Sequence, residues 1–209
     1  MSMNRRLVSI ALTLAVAGFT TMPCLAQTDG GAQAAPPGAP SEEAYQHAMQ
    51  VAATPGPLHA LLAEGAGRWH AEMRMWMAPG QEPQLSHGEV TSEMIMDGRY
   101  RVDHFSSEVM GMPMEGMGIT GYDNVREEFA SVWIDNMGTG VAYMTGHVDP
   151  SGKVITMTGI MTDPLTKQEM KMRSVATQES PDRVVCGFFM TMPDGSEMKN
   201  MELVYTRVK

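Results

Sequence analysis

Methionine is the residue type whose number and spacing most suggest chemistry in this chain. The 209 residues include 23 methionines, and many of these recur two positions apart. Residues two apart on a β-strand point to the same face, so each repeat predicts two or more thioethers on one surface. The repeats are Met73/Met75/Met77, Met94/Met96, Met110/Met112/Met114, Met170/Met172 and Met190/Met192.

Three interpretations of these repeats remain open. The methionines can fill a core in place of leucine or valine, or they can line a cavity, because flexible thioether side chains repack around different apolar guests. They can also bind Cu(I), since thioether sulfur is a soft ligand, and Met112 and Met114 with His70 are the candidates for that site. The repeats fall in alternating, strand-like segments, which favours packing or a cavity over metal coordination.

An aromatic residue and a carboxylate share one strand face in the segment Trp133-Ile-Asp-Asn-Met-Gly-Thr139. Trp133 and Asp135 are two residues apart, so an extended strand turns both side chains toward the same cavity. The alternative is a core tryptophan followed by an aspartate that caps a turn. The predicted ligand contacts are Met73, Met75, Met112, Met114, Tyr122, Trp133 and Asp135.

The histidines do not have the spacing of a zinc site. None of the six is part of a His-x-x-x-His pair or lies beside a cysteine partner. His104 or His147 could hold a haem axially in a barrel of suitable size. The prediction is therefore no resident cofactor, with copper or haem handling as the alternative function.

No catalytic motif is present in the sequence. It contains no Gly-x-Ser-x-Gly elbow, no phosphate-binding glycine loop and no dinucleotide fingerprint. The candidate carboxylates occur singly, at expected turns or strand ends, where an aspartate commonly bonds its own backbone. They are Asp103, Asp123, Asp135 and Asp163. We therefore expect a protein that is not an enzyme.

The N-terminus predicts export. The basic residues Arg5 and Arg6 precede an apolar run over 7–19, and a polar stretch ends at Ala26, as in a secretory signal peptide. The apolar run is too short to span a bilayer core of about 30 Å. Cleavage after Ala26 leaves a periplasmic or secreted protein with no integral membrane segment.

The charge and the cysteines of the mature chain follow from this cleavage. The formal charge changes from −9 to −11, because residues 1–26 contain Arg5 and Arg6 and no acidic residue. An acidic protein is a poor partner for nucleic acid or an anionic membrane. Cys186 is left without a partner, because Cys24 lies in the removed segment.

The segments that follow predict a linker and two helices before the main domain. Residues 27–40 are rich in Gln, Gly, Ala and Pro and predict a flexible linker. Within 41–66, Ser41 can cap a first helix that ends before Pro55, and Pro57 can begin a second.

From residue 67 onward the sequence alternates between apolar and polar residues and is broken every 8 to 12 residues by turn signals. About ten short strands with local turns predict an all-β domain over 67–209, an antiparallel up-and-down barrel that closes on itself. The breaks are Ala78-Pro-Gly80, Asp97-Gly98, Gly111-Met-Pro113, Asp123-Asn124, Asn136-Met-Gly138, Asp149-Pro-Ser-Gly152, Asp163-Pro164, Ser180-Pro-Asp182 and Pro193-Asp-Gly195.

The stretch 109–124 contains four methionines and four glycines. Its pattern predicts a turn at Gly111 and Pro113, with Met110, Met112 and Met114 on one side. A bulge or tight bend is predicted over 115–117, where the alternation breaks. The whole stretch would then form a rim at one mouth of the barrel.

From His59 to Lys209 the chain resembles the DUF1579 family, exported bacterial proteins of unknown function. The resemblance brings no established activity with it. The motifs are Gly67-Arg-Trp69, Glu72-Met-Arg-Met-Trp-Met-Ala-Pro-Gly80, Met110-Gly-Met-Pro113, Gly121-Tyr-Asp-Asn124, Trp133-Ile-Asp-Asn136, Gly159-Ile-Met-Thr-Asp-Pro164 and Val204-Tyr-Thr-Arg207.

A second similarity concerns shape. Gly67-x-Trp69 before the first strand and Arg207 in the last one resemble the calycin (lipocalin and fatty-acid-binding) arrangement, which implies that Trp69 plugs one end with Arg207 across its ring. The alternative is a core tryptophan and a solvated arginine.

The predicted function is an exported, non-enzymatic barrel that binds a small apolar ligand in a methionine-lined cavity. The oligomeric state is left open.

Overall fold

The computed structural model describes residues 40–192 and 194–209. The predicted signal peptide over 1–26, and all of the predicted linker except residue 40, lie outside the described residues. Within them, no helix has the length and apolar character needed to cross a membrane.

Two helices precede the strands: α1 at Glu42–Ala53 and α2 at Pro57–Glu64. The hydroxyl of Ser41 accepts a hydrogen bond from the backbone N–H of Ala44 at 3.1 Å, which caps α1 as the sequence predicted. No residue of α1 is buried. The helix is instead held at its C-terminal end, where carbonyl groups accept hydrogen bonds from the side chains of Arg99 and Asn124.

Helix α2 buries one face against the barrel. Leu62 is 2% exposed and His59 is 6% exposed. The Nδ1 atom of His59 accepts a hydrogen bond from the backbone N–H of Gly56 at 3.0 Å, and its ring lies edge-on to Tyr122, with centroids 5.9 Å apart. We call the end of the barrel beside α2 the helix mouth.

Ten strands form a closed barrel, and every neighbouring pair is antiparallel. The all-β, ten-stranded up-and-down barrel predicted from the sequence is therefore confirmed, and turns lie at the predicted breaks except after Val109. The strands are β1 Gly67–Met75, β2 Gln84–Ile95, β3 Tyr100–Val109, β4 Met112–Asp123, β5 Glu128–Asp135, β6 Ala142–Val148, β7 Val154–Thr162, β8 Glu169–Ser180, β9 Arg183–Thr191 and β10 Glu197–Arg207.

Closure joins the first strand to the last. Strands β1 and β10 pair from Trp69 opposite Arg207 to Met75 opposite Met201. This pairing satisfies the backbone groups of both terminal strands, so the barrel has no open edge between them. The mouth opposite the helices is called the far mouth below. It is formed by the loops 76–83, 110–111, 136–141 and 163–168 and by residues 192 and 194–196.

The hairpin between β3 and β4 differs from the sequence prediction. Its turn is Met110-Gly111, whose φ angles are 54° and 77°, as a two-residue turn of the primed type requires. Pro113 lies within β4, and Met110 therefore does not share a strand face with Met112 and Met114. The predicted bulge over 115–117 is wrong, because β3 and β4 pair without a register shift from Tyr100 to Val109.

The best-packed part of the interior lies against β1, β2, β3 and β10. It consists of Trp69, Ala71, Met73, Val90, Phe105, Val109 and Leu203, all less than 9% exposed. Strands β5 to β9 form most of the remaining wall, and most of their inward residues remain partly accessible.

Candidate functional site

A tryptophan and an arginine close the helix mouth. The guanidinium carbon of Arg207 lies 4.0 Å from the centroid of the Trp69 ring, which is the geometry implied by the calycin resemblance. The indole N–H of Trp69 donates to the carbonyl of Gly65 at 2.9 Å. Arg207 donates to the carbonyls of Ala66 at 2.7 Å and Glu64 at 2.6 Å, so it also binds the C-terminal end of α2.

The strand register turns most of the described methionines into the barrel. Directly paired residues share a face of the sheet, and the buried residues Trp69 and Phe105 identify the inward face. The inward methionines are Met73, Met75, Met94, Met112, Met114, Met144, Met157, Met161, Met170, Met172, Met190, Met198 and Met201.

These methionines are concentrated toward the far mouth. Met172, Met190 and Met198 are direct partners on three consecutive strands, β8, β9 and β10. Met161 pairs with Met170, and Met75 pairs with Met201. Cβ atoms of direct partners lie about 4.5–5.5 Å apart, so these side chains form a continuous thioether surface inside the far mouth.

Four methionines of the predicted repeats lie outside the strands and are not among the inward methionines. Met77 follows the end of β1 and is 62% exposed, while Met96 and Met110 lie in turns and are each 66% exposed. Met192 follows the end of β9. The Met-x-Met spacing does not predict an inward position for these four residues, because the strand ends before the repeat does.

The predicted ligand contacts divide between the interior and the rim. Met73 is 3% exposed within the packed cluster, and Met75, Met114 and Trp133 pack against that cluster while remaining partly accessible. Met112 points inward at the first residue of β4, but it is 48% exposed and belongs to the rim.

Trp133 and Asp135 share the inward face, as predicted, and they also bond to each other. The indole N–H of Trp133 donates to Oδ2 of Asp135 at 2.7 Å, and Oδ1 of Asp135 accepts from the backbone N–H of Met137 at 3.0 Å. The carboxylate therefore fixes the ring and caps the following turn. The ring of Trp133 lies over Gly116, where a Cβ atom would be 2.2 Å from Cζ2 of the indole.

Tyr122 is not part of the same group of side chains. It lies at the helix mouth, edge-on to both His59 and Phe129, with ring centroids 5.9 Å and 5.0 Å away. Burial raises the pKa of Tyr122, and the charges of Glu127 and Asp123 raise it further. Residue 116, the partner of Asp135, is six residues along β4 from Tyr122, roughly 20 Å away.

The histidines singled out in the sequence point away from the interior. His70, His104 and His147 alternate with inward residues on β1, β3 and β6, and each is exposed. His70 faces Glu89 at 3.9 Å on the outer wall. The structure thus does not bring His70 to Met112 and Met114, and within the described residues no group of three or more His, Cys, Asp or Glu side chains is arranged to hold a metal ion.

A polar group inside the barrel was missed by the sequence prediction. Asp103 was expected at a turn or strand end, but it lies within β3 and points inward together with Arg101. The guanidinium of Arg101 donates from Nε to Oδ1 of Asp103 at 2.9 Å and from Nη2 to Oδ2 at 3.0 Å. Opposite charges two residues apart on a predicted strand were the available signal for this pair.

Two further titratable groups also point into the barrel. Burial raises the pKa of the Cys186 thiol to about 12, although the Arg101 charge acts in the opposite direction. Burial also raises the pKa of Tyr205, with smaller contributions from Cys186 and Asp103. Both residues point inward and keep part of their surface accessible. Within the described part of the chain, the hydroxyl of Tyr205 has no hydrogen-bond partner.

The outer wall of the barrel carries two open grooves. One of about 540 Å³ lies over β2 to β5 and is lined mainly by outward residues, among them His104, Met117 and Ile134. The other, of about 310 Å³, lies over β1, β2, β9 and β10, beside His70 and His87. Neither groove contains a methionine of the inward surface.

Comparison with solved structures supports the fold. The crystal structure of Rv2717c from M. tuberculosis is similar over 75% of this chain and 100% of its own, with a TM-score of 0.53 and 15% sequence identity. A redesigned β-barrel is similar over 72% of this chain and 95% of its own, with a TM-score of 0.36 and 17% identity. At these identities the likeness concerns the fold alone, and the second score is too low to carry an argument.

Comparison of sequences identifies the family. No curated protein is significantly similar to this sequence. Residues 54–207 match the sequence pattern of DUF1579, described as a protein of unknown function, so the match covers both α2 and nearly the whole barrel. The chain therefore belongs to the DUF1579 family.

Proposed function

We propose that this protein is an exported, non-enzymatic barrel that binds a small apolar ligand in its interior. The observation that carries the proposal is the thioether surface inside the far mouth, formed by directly paired methionines of β7 to β10 and β1. Unbranched, polarizable side chains adapt to the shape of an apolar guest, which suits the entrance of a binding cavity.

The size of the barrel supports an internal site. An eight-stranded barrel is just wide enough to be filled by side chains or to hold one small ligand, and the diameter grows with strand number. This barrel has ten strands. Its inward residues on β5 to β8 include small side chains, namely Ser131, Ala142, Gly146, Gly159, Ser174 and Ala176.

Partial burial of the inward residues on β5 to β9 also supports the proposal. Met144, Met157, Met172 and Phe188 point inward and yet keep accessible surface, whereas the inward residues of β1 and β2 near Trp69 are buried. The packed cluster would therefore form one wall of the cavity and the methionine surface the other. Export of the ligand carrier is proposed from the signal sequence at residues 1–26.

Displacement of a neutral fluorescent probe tests the proposal. We expect 1-aminoanthracene to bind the purified protein saturably and to be released by an apolar competitor such as 1-dodecanol. Replacing Met172 and Met190 together by Gln should weaken probe binding roughly tenfold, because two apolar contacts are lost. The matched control replaces the exposed Met96 and Met137 by Gln and should leave binding unchanged. Equal effects of the two double variants, or no saturable binding, would contradict the proposal.

One observation favours a second candidate, a Cu(I) site. Met172, Met190 and Met198 are neighbours across three consecutive strands, so three soft sulfur ligands can converge within the far mouth. This set differs from the His70, Met112 and Met114 set predicted from the sequence. A haem site has no comparable support, because His104 and His147 point away from the barrel interior.

Titration with Cu(I) under anaerobic conditions distinguishes the two candidates. A copper protein should bind one equivalent in competition with a chromogenic chelator, and Met190→Leu should abolish that binding while preserving the binding of 1-aminoanthracene. Met114→Leu, also inward but outside the row, is the control. Absence of competition with the chelator would remove the copper candidate and leave the apolar site untouched.

A further inference from the structure

An ion pair lies on the inward face of the barrel near the helix mouth. Arg101 and Asp103 form a bidentate pair, and their side chains are 27% and 19% exposed. On the inward face, Asp103 lies between Ser92 on β2 and Gly118 on β4, and Arg101 lies between Met94 and Thr120 on the same two strands. Charged side chains are rarely placed inside a barrel without a role, because desolvating them costs free energy even when they are paired.

Helix α2 fixes the position of Arg101. A Cβ atom on Gly65, at the C-terminal end of α2, would be 2.3 Å from Nη1 of Arg101, so the guanidinium lies directly against the helix end. Positive charge is stabilised at a helix C-terminus. The ion pair therefore forms a fixed floor beneath the helices, opposite the methionine surface of the far mouth.

Tyr205 completes this polar floor. Its phenol points inward from β10, one inward position from Arg207 at the helix mouth, and Arg101 is the first inward residue of β3 at the same mouth. Its hydroxyl has no partner among the described residues and remains free to donate or accept. The floor thus offers one carboxylate acceptor, the remaining N–H donors of Arg101 and one hydroxyl group.

We propose that the ligand is an amphiphile with an uncharged, hydrogen-bonding head group, such as a primary alcohol, that lies between Tyr205 and the Arg101–Asp103 pair. This inference rests on the proposed apolar site and adds the chemical class of its ligand. The alkyl part would extend from the head group toward the methionines of the far mouth.

The charge balance of the floor favours an uncharged head over a carboxylate. Asp103 already neutralises Arg101 through two hydrogen bonds, so a second carboxylate would meet a like charge beside it. A hydroxyl head instead donates to Asp103 and accepts from Tyr205 or Arg101, which adds hydrogen bonds without burying a net charge.

The barrel sets an approximate length for the alkyl part. Strand β3 runs from Arg101 near the helix mouth to Val109 at the far mouth. Eight residues of a strand tilted by about 40° span roughly 20 Å along the barrel axis, which suits a chain of about a dozen carbons.

Competition between two ligands of equal length tests the inference. At pH 8, 1-dodecanol should displace 1-aminoanthracene at a concentration about tenfold lower than dodecanoate does. Asp103→Asn removes the like charge and leaves Arg101 free, so dodecanoate should become the tighter ligand of the two. The control is Asp97→Asn, which removes a carboxylate that is 99% exposed in a turn. This variant should keep the preference for the alcohol.

A second variant keeps the test decisive if Asp103→Asn does not fold. Tyr205→Phe removes only a hydroxyl, so the affinity for 1-dodecanol should fall about three- to tenfold while that for dodecane is unchanged. Equal affinities for alcohol and acid, or a preference for the acid, in the wild-type protein would overturn the inference and leave the apolar site standing. Failure of 1-aminoanthracene to bind at all would overturn both.

Discussion

Arg207 lies with its guanidinium carbon 4.0 Å from the ring centroid of Trp69, its direct partner across the pair of strands that closes the barrel. The same guanidinium donates hydrogen bonds to carbonyls of Glu64, Pro181 and Ala66. One side chain therefore links the first strand, the last strand, the β8–β9 turn and the end of α2.

Replacing Arg207 by Lys should destabilise the protein although the charge is kept. An ammonium group cannot cover the indole face and bond three carbonyls at once, so we expect a loss of about 2 kcal/mol in the free energy of unfolding. Urea unfolding followed by circular dichroism measures this loss. Arg183→Lys is the control, because the Arg183 side chain is 48% exposed and, among the described residues, forms an ion pair only with the exposed Glu179. A loss as large in the control would contradict the linking role.

A side chain at position 116 should displace the ring of Trp133. The Cβ atom of Gly116→Ala would be 2.2 Å from the indole, and the ring cannot move freely because Asp135 holds its N–H. We expect a loss of about 2 kcal/mol and a shift in tryptophan emission. Gly140→Ala, with no atom within 4 Å of the new Cβ, should change neither quantity. Identical emission spectra for Gly116→Ala and the wild type would refute the packing described.

The thiol of Cys186 should be unreactive in the folded protein. Burial raises its pKa to about 12, so at pH 8 almost none of it is the reactive thiolate. In a Cys24→Ser variant, where Cys186 is the sole cysteine, iodoacetamide should label the protein only after urea is added. Rapid labelling of the folded protein would mean that the thiol faces solvent rather than the barrel interior.

The turn aspartates should make the protein sensitive to acid. The backbone N–H of Val154 and the hydroxyl of Ser151 lower the pKa of Asp149 below its ordinary value of 3.8. A lowered pKa in the folded state stabilises the protein above pH 3.8, and this stabilisation is lost as the pH falls through the folded-state pKa. Asp149→Asn should therefore lose less stability than the wild type on acidification, as measured by urea unfolding at a series of pH values. An equal loss of stability on acidification in Asp149→Asn and in the wild type would contradict this role of Asp149.

The fold could be predicted from the sequence because its signals are local. Turn signals such as Asp97-Gly98 and Asp149-Pro-Ser-Gly152 recur at strand-length spacing, and up-and-down topology follows from them without long-range information. The hairpin after Val109 was misplaced because Met110 adopts a positive φ, which a sequence rule assigns to glycine first. Pro113 was taken for a turn residue, whereas it lies at the second position of β4.

The candidate site was only partly predictable. The period of two correctly placed Met73 with Met75 and Met170 with Met172, because each pair lies within one strand. It could not show that Met172, Met190 and Met198 are neighbours, since this depends on the register of three strands. The polar floor was missed partly for the same reason: Tyr205 on β10 and Arg101 on β3 face one interior only when the barrel closes.

The most direct test of the internal apolar site is an NMR titration of protein carrying ¹³C-labelled methionine methyl groups. On addition of 1-dodecanol, the methyl signals of Met75, Met172, Met190 and Met201 should shift together and saturate with one dissociation constant. The signals of the exposed Met77, Met96 and Met137 should stay in place. Unchanged signals from the inward methionines, or shifts confined to the exposed ones, would contradict the proposal that the barrel interior is the binding site.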